Sequence, residues 1–373
     1  MPGRRLLFVT SGLARGGAEG FLARLVERLA IGGHACRVVS LGSGEPLAGV
    51  LAARGIPVEE LGRAAWRLRG IVRAFQPEVL QGWMYRGNIA ASYVRNAPAK
   101  IRPSLVWSVR QGLRDLDTSP WTTRMAVAWG ARRSDLPAAI VYNAYDAARQ
   151  HEAAGYDAER TRVIANGIDV SSYTRNPEVR RKVREALGLP GEAPAIVLFA
   201  RWHPVKNHRG FVEAAGMLGR SRPDVRFVMA GAGVDRSNVE LGSWLDAAGI
   251  RDRTRLLGDR SDVPDLLAAA DLATLSSHAE ALPNALLEAM AAGVPCVAPA
   301  LGDIPDLIGE AGVLVRPDDP AALADGWERV LALEPAARAL LGGEARARAS
   351  DRFDIDRAAG SFASLYEEVL ARK

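Results

Sequence analysis

Cysteine is nearly missing from this chain: its 373 residues include only Cys36 and Cys296, far apart and each inside an apolar run. That excludes a disulfide framework and a cysteine-based metal site, and both thiols read as buried and free. No apolar stretch is long enough to span a bilayer. A strand at Arg4–Thr10 begins almost at Met1 with no cleavable leader pattern before it, so the expected location is cytoplasmic. Tandem repeats and low-complexity tracts are also missing, which removes solenoid and fibrous architectures. Metal-ligand patterns are scarce. His203 and His208 flank a proline-containing loop at a spacing that suits loop packing, not coordination. Asp115-Leu116-Asp117 matches a three-residue D-x-D metal element, but matches that short arise readily by chance.

What is present is ordinary for a globular chain with room for two cores: 48% apolar and 24% charged residues. The net charge of +5 is uneven. Residues 1–170 hold 23 Lys and Arg against 14 Asp and Glu, a balance of +9, and the remainder holds 25 against 29, a balance of −4. A basic first half suits an anionic partner: a membrane surface, a lipid phosphate or nucleic acid. No nucleic-acid module is recognisable, which removes the last. Arginine-rich coding would give the same excess with no partner at all. The run Trp66–Phe75 mixes arginines with apolar residues and suits either an interfacial membrane helix or an ordinary helix with a basic outer face. An exposed Trp66 favours the membrane.

Short apolar runs alternate with helical patterns along the chain, the pattern of α/β architecture with parallel sheets. Strands are expected at Leu6–Thr10, Ala35–Leu41, Pro57–Leu61, Val79–Gly82, Leu105–Val109, Ala139–Tyr142 and Arg162–Ala165. A second series is expected at Ala195–Ala200, Arg226–Ala230, Arg255–Leu257, Leu272–Leu275, Cys296–Ala298 and Val313–Val315. Phe21, Leu22, Leu25, Val26 and Leu29 share one helical face ahead of the Gly32-Gly33 stop. The expectation is therefore two doubly wound domains, 1–175 and 176–354, joined by a polar linker near 170–190. The helical tail at 355–373 is free to pack on either half. Ligands of such sheets sit beyond the carboxyl ends of the strands, so a cleft between the halves is the expected site.

Three stretches at strand ends carry the chemistry. In Ser276–Met290, Glu280 precedes a helix expected to begin with Pro283 and to end at Gly293, about ten residues later, and Glu288 lies about 7–8 Å along its axis. The free N–H groups of such a helix start suit a phosphate, and carboxylates accept hydrogen bonds from sugar hydroxyls. In Phe199–His208, Arg201 and Lys206 put a forked donor and a point charge in one loop, a natural diphosphate clamp. In Ser11–Glu19, the adjacent Gly16 and Gly17 follow a strand and open a helix, where backbone can approach a ligand closely.

Together these stretches resemble the retaining glycosyltransferase family 4, whose fold is GT-B: two Rossmann-like domains facing a deep cleft. Glu280 and Glu288 match its E-x7-E element, Arg201 and Lys206 its R-x4-K element, and Gly16-Gly17-Ala18-Glu19 its GGAE turn. Val163–Asp169 resembles the interdomain "IpNGiD" of the family, and Leu257–Pro264 its "lGxrxDvp". Leu80–Tyr85 and Trp107–Arg110 most resemble members that build bacterial surface polysaccharides or glycolipids. The resemblance implies that Arg201 and Lys206 hold a donor diphosphate, Glu288 the ribose and Glu280 the transferred sugar, with backbone at Leu282, Pro283 and Asn284 assisting. Gly16 and Gly17 would close over the diphosphate. Ala281 stands where glycine is commoner, and Arg110 where many members have histidine; an arginine there suits an anionic acceptor.

The function so implied is metal-independent, retaining transfer from a nucleotide-sugar, with UDP as the family's usual nucleotide, to a glycan, lipid-linked or small-molecule acceptor. No cofactor and no metal site are expected, and peripheral contact with the inner face of an anionic membrane stays open. The rival readings are a nucleotide-sugar epimerase or phosphorylase on the same fold, and a nucleotide-sugar-binding protein without activity. The full set of Arg201, Lys206, Glu280 and Glu288 counts against the last.

Overall fold

Each apolar run expected to be a strand forms one in the computed structural model, which describes residues 3–95, 102–116 and 119–372. The described strands pair in parallel throughout, in a seven-stranded and a six-stranded sheet. The chain divides into two units, residues 1–167 with 355–373 and residues 168–354.

In the first unit the strands are β1 (Arg5–Thr10), β2 (Ala35–Ser40), β3 (Val58–Glu60), β4 (Val79–Trp83), β5 (Ser104–Val109), β6 (Ala139–Tyr142) and β7 (Thr161–Val163), ordered β3-β2-β1-β4-β5-β6-β7. The helices between them are α1 (Gly17–Ile31), α2 (Pro46–Ala53), α3 (Leu68–Phe75), α4 (Met84–Val94), α5 (Trp121–Arg133) and α6 (Tyr145–Ala153). Because side chains alternate along a strand, each strand feeds two cores. Leu6, Phe8, Val79 and Val106 join α1, α2 and the C-terminal helix (Ile355–Ala371) on one face. Leu7, Val9, Leu80 and Trp107 join α3, α4, α5 and α6 on the other.

The C-terminal helix belongs to this first unit. Phe362 and Tyr366 are fully buried there, and the Tyr366 hydroxyl donates to Gln81 Oε1 at 3.1 Å. At its rim Arg4 donates to both oxygens of Glu367, at 2.8 and 2.6 Å.

The second unit contains β8 (Ala195–Phe199), β9 (Arg226–Ala230), β10 (Thr254–Leu256), β11 (Leu272–Thr274), β12 (Cys296–Pro299) and β13 (Val313–Val315), ordered β10-β9-β8-β11-β12-β13. Its helices are α7 (Pro177–Ala186), α8 (His208–Ser221), α9 (Val239–Ala247), α10 (Val263–Ala268), α11 (Asn284–Ala291), α12 (Ile304–Ile308), α13 (Pro320–Leu331) and α14 (Pro335–Phe353). Phe211, Phe227 and Trp327 meet at the centre of one core, and the Trp327 indole N–H donates to Thr274 Oγ1 at 2.9 Å.

The stretch read as a polar linker is folded into the second unit. Asn176 caps α7 through Glu178 and Val179, and Arg180 and Arg184 each reach Asp271, at 2.8 and 3.3 Å. Residues 168–175 join that unit too, so the division falls at Gly167, ahead of the 175 read from the sequence. The Ile168 N–H donates to Phe353 O at 2.8 Å, and the Arg346 guanidinium holds the carbonyls of Val170 and Tyr173. Arginine contacts between distant segments decide both features, and polarity along the chain does not reveal them.

Candidate functional site

The second unit gathers most of the expected site residues at the carboxyl ends of β8 and β11, adjacent strands that pair in register Leu272↔Ile196 and Ala273↔Val197. Beyond β8 the chain turns sharply. His203 accepts the Val205 N–H on Nδ1 at 3.3 Å, the turn Pro204–Lys206 follows, and Asn207 takes a left-handed φ of 49°. Asparagine tolerates that conformation, and its side chain caps α8 by accepting the Gly210 N–H at 2.9 Å. His203 is thus held in a turn.

This loop is bonded to the one beyond β11. The Ser276 hydroxyl donates to Lys206 O at 2.8 Å, and the His278 N–H donates to Val205 O at 2.8 Å. The side chains complete the join: Lys206 Nζ lies 2.7 Å from Glu280 Oε1, and the Ser277 hydroxyl donates to that same oxygen at 2.6 Å. The Glu280 side chain is only 8% exposed. Lysine of the R-x4-K element and the first carboxylate of the E-x7-E element therefore form one partly buried, charge-assisted pair. An ammonium has three donors, so the pair leaves two for another ligand. Arg201 is exposed at the end of β8, with its fork open to solvent.

Leu282 and Pro283 are buried, and α11 begins at Asn284, with Pro283 as its N-cap at ψ 105°. The helix has eight residues, shorter than expected and starting one residue later, because Pro283 stays extended. The Pro283 carbonyl accepts from Leu286 and Leu287 at 3.1 and 3.2 Å, so the first turn of α11 is closed directly after the Glu280 loop. Glu288 lies half-buried within α11, and Gly293 ends it at a φ of 67°.

A third strand end completes the site and was not read from the sequence. Gly231, after β9, has a φ of 148°, and a Cβ there would lie 2.2 Å from Ala200 O. The Trp202 N–H donates to Ala232 O at 2.7 Å, so the segment Gly231–Gly233 braces the Arg201 loop. Only glycine fits at 231. The signal available was the Gly-Ala-Gly run directly after a strand. His208, under the same loop, donates from Nε2 to Ala200 O at 3.3 Å. Burial pushes its imidazole down to about 4; the bond to Ala200 opposes this and the Lys206 charge adds to it.

In the first unit Gly16 is the N-cap of α1 and Gly17 its first residue, both exposed. A Cβ on Gly16 would lie 2.3 Å from Glu19 Oε2, so the glycine lets the first-turn carboxylate fold over the helix start. The loop before it is held by Glu45, whose Oε2 accepts from the Leu13 N–H and, at 3.2 Å, from the Ser40 hydroxyl. Glu45 is a loop-positioning residue that no motif announced.

Arg110 corrects an expectation. It was read as facing an acceptor at the edge of the sheet, but it is turned inward and only 6% exposed. Its guanidinium carbon lies 5.1, 4.9 and 5.2 Å from the ring centroids of Phe21, Trp83 and Phe362. Nε donates to Ser108 Oγ at 2.9 Å and Nη1 to Ile164 O at 2.7 Å. Burial pushes the guanidinium down to about 9, so it remains a cation at neutral pH, held by three aromatic faces. The rings come from α1, β4 and the C-terminal helix, and this convergence is why the position is buried. Of the D-x-D match, Asp117 lies outside the described residues.

Residues 15–172 match the model for Glycosyltransferase Family 4, and residues 193–332 match the model for Glycosyl transferases group 1. A D-inositol 3-phosphate glycosyltransferase of Xylanimonas cellulosilytica is 33% identical over 229 residues, 59% of this chain and 54% of that one. An alpha-D-kanosaminyltransferase of Streptomyces kanamyceticus is 29% identical over 248 residues, 65% of this chain and 63% of that one. The chain spans about half the length of the first of these curated relatives. The solved structure of Anabaena HepE in complex with UDP and glucose superposes with a TM-score of 0.85 at 24% identity, covering 98% of this chain and all of that one, which shows a shared fold.

Proposed function

We infer that this chain, which belongs to the glycosyltransferases by a Glycosyltransferase Family 4 match in its first unit and a Glycosyl transferases group 1 match in its second, transfers a sugar from a nucleotide-sugar donor to an acceptor. The observation that carries the reading is the Lys206–Glu280 pair at 2.7 Å, built where two strand ends meet beside the exposed Arg201. One arginine fork and two remaining ammonium donors form a cationic patch for a diphosphate, and the buried carboxylate beside them accepts from a sugar hydroxyl. Solved structures of similar fold contain UDP with glucose and UDP-glucose, which supports UDP as the nucleotide here. The names of the relatives include an inositol phosphate and the lipopolysaccharide core, so the acceptor class stays at glycan, lipid-linked or small molecule.

The proposed chemistry follows from the state of Glu280. Its Oε1 is already bonded to Lys206 and Ser277, which suits a carboxylate that positions a sugar and not one that attacks carbon. Retention then comes from front-face transfer. The bond from the anomeric carbon to the diphosphate breaks, the acceptor oxygen bonds the same face of that carbon, and the acceptor proton passes to the departing phosphate oxygen. Charge growing on the diphosphate is met by Arg201, Lys206 and the start of α11. With two cations in that role, the proposed transfer needs no metal.

Arg201→Ala and Lys206→Met are each expected to lower kcat/KM by about tenfold to a hundredfold, the worth of one charge-assisted contact. The product should keep the anomeric configuration of the donor by NMR. Parent kcat/KM in both folded variants would overturn the site. Activity is expected to survive EDTA; complete loss on chelation, restored by Mg²⁺ or Mn²⁺, would return Asp115 and Asp117 to consideration as ligands.

A further inference from the structure

The helices α3, α4 and α5 lie beside α6 on one face of the sheet of the first unit, and the outward faces of these three have an unusual composition. Their sequences contain six arginines, Arg69, Arg73, Arg86, Arg124, Arg132 and Arg133, and not one aspartate or glutamate. All six are exposed, and none forms an ion pair among the described residues. Elsewhere in this unit arginines find carboxylates: Arg4 pairs with Glu78 and Glu367, Arg37 with Glu59, Arg114 with Asp146, and Arg162 with Glu368. The opposite layer is mixed in sign, with Glu19 and Glu27 on α1 and Asp356, Glu367 and Glu368 on the C-terminal helix.

The same layer exposes large apolar side chains. Trp66, in the turn leading into α3, is 79% exposed; Tyr93 on α4 is 67%, and Trp121 and Met125 on α5 are 69% and 62%. Trp121 and Met125 are one turn apart and share a face. Indole and phenol rings partition to the boundary between headgroups and hydrocarbon, and arginines flanking them meet lipid phosphates.

We propose that this layer docks the protein on an anionic lipid surface, with Trp66, Trp121 and Met125 entering the headgroup boundary and the six arginines held to phosphates. Charge complementarity selects the occupant. The three helices carry no acid, and the acids beside them, Glu59 next to Trp66 and Asp146 on α6, are already paired with Arg37 and with Arg114 and Arg149, so the layer keeps a net positive charge that attracts a polyanion. Exposed indoles and a thioether select a bilayer over a phosphate backbone, which offers them no apolar phase. The proposal is independent of the transfer reaction, since its test reads binding and not turnover.

The test is co-sedimentation of the full chain with vesicles of phosphatidylcholine alone, and of phosphatidylcholine and phosphatidylglycerol at about three to one. The expected result is binding to the anionic vesicles only, weakened at about tenfold higher salt, with a blue shift of tryptophan emission. Arg69→Ser and Arg124→Ser should each weaken binding about fivefold, and the conservative Arg124→Lys should restore it. Trp66→Ser with Trp121→Ser should abolish the blue shift. Arg357→Ser, on the opposite layer, should leave binding unchanged. All these positions are exposed, and circular dichroism confirms folding of each variant. Failure to sediment with anionic vesicles, equal binding to neutral ones, indifference to the substitutions, or tighter binding to duplex DNA at the same salt would each overturn the proposal.

Discussion

At the scale of single residues, the least expected finding is that a cation can be a core residue. Arg110 fills a box of three rings, with Ser108 and Ile164 taking its N–H groups. Arg110→Ala is expected to destabilise the first unit by about 2–4 kcal/mol, through lost packing and two acceptors left without a donor. Urea denaturation measures this directly. A variant of parent stability with reduced transfer would instead return Arg110 to acceptor handling. The sequence exposed the residue types of the site but not their partners. Arg201 and Lys206 were legible as candidates because they stand in the loop beyond an apolar run, and Glu280 and Glu288 because they bracket the start of a helix after another. The Lys206–Glu280 bond, the Glu45 brace and the requirement for Gly231 were not, since each joins segments tens of residues apart and depends on strand order.

At the scale of elements, the strands were legible to within a residue or two because buried parallel strands are short unbroken apolar runs, as at Ala139–Tyr142 and Arg226–Ala230. Helix α7 was missed for the opposite reason. Its outward surface is strongly charged, and the contacts that fix it are arginine bonds to Asp271 on a distant loop. The C-terminal helix was visible as a helix, but its address was not, because an apolar stripe does not name its partner. Its Phe362 ring lies 6.3 Å from Phe21 and 6.4 Å from Trp83. Phe362→Ala should therefore lower the stability of the first unit by about 3–5 kcal/mol, a cost set by the cavity left beside Arg110. A drop under about 1 kcal/mol in thermal or urea unfolding would mean the helix is a loose attachment.

At the scale of the whole molecule, each unit buries one neutral histidine, and acid should act on both. In the first unit His151 donates from Nδ1 to Ala147 O at 2.7 Å and lies 2.8 Å from the Tyr85 hydroxyl; in the second is His208. Burial pushes both down to about 4, below the ordinary value of 6.5, with the bond to Ala147 partly offsetting it at His151. The unfolded chain therefore takes up these protons first. The stabilisation is complete above pH 6.5 and is lost as the pH falls toward 4, up to about 3 kcal/mol for each histidine. The urea midpoint should fall between pH 7 and pH 4.5, and an unchanged midpoint would contradict the two burials. The return of the C-terminal helix to the first unit also sets an order of events during synthesis. On the ribosome the second unit is complete when Asp354 has emerged, while the first still lacks Ile355–Lys373. The half made first is thus completed after the second, and a chain stalled near residue 354 leaves Phe21 and Trp83 uncovered, a surface for chaperones to hold until the C-terminal helix emerges.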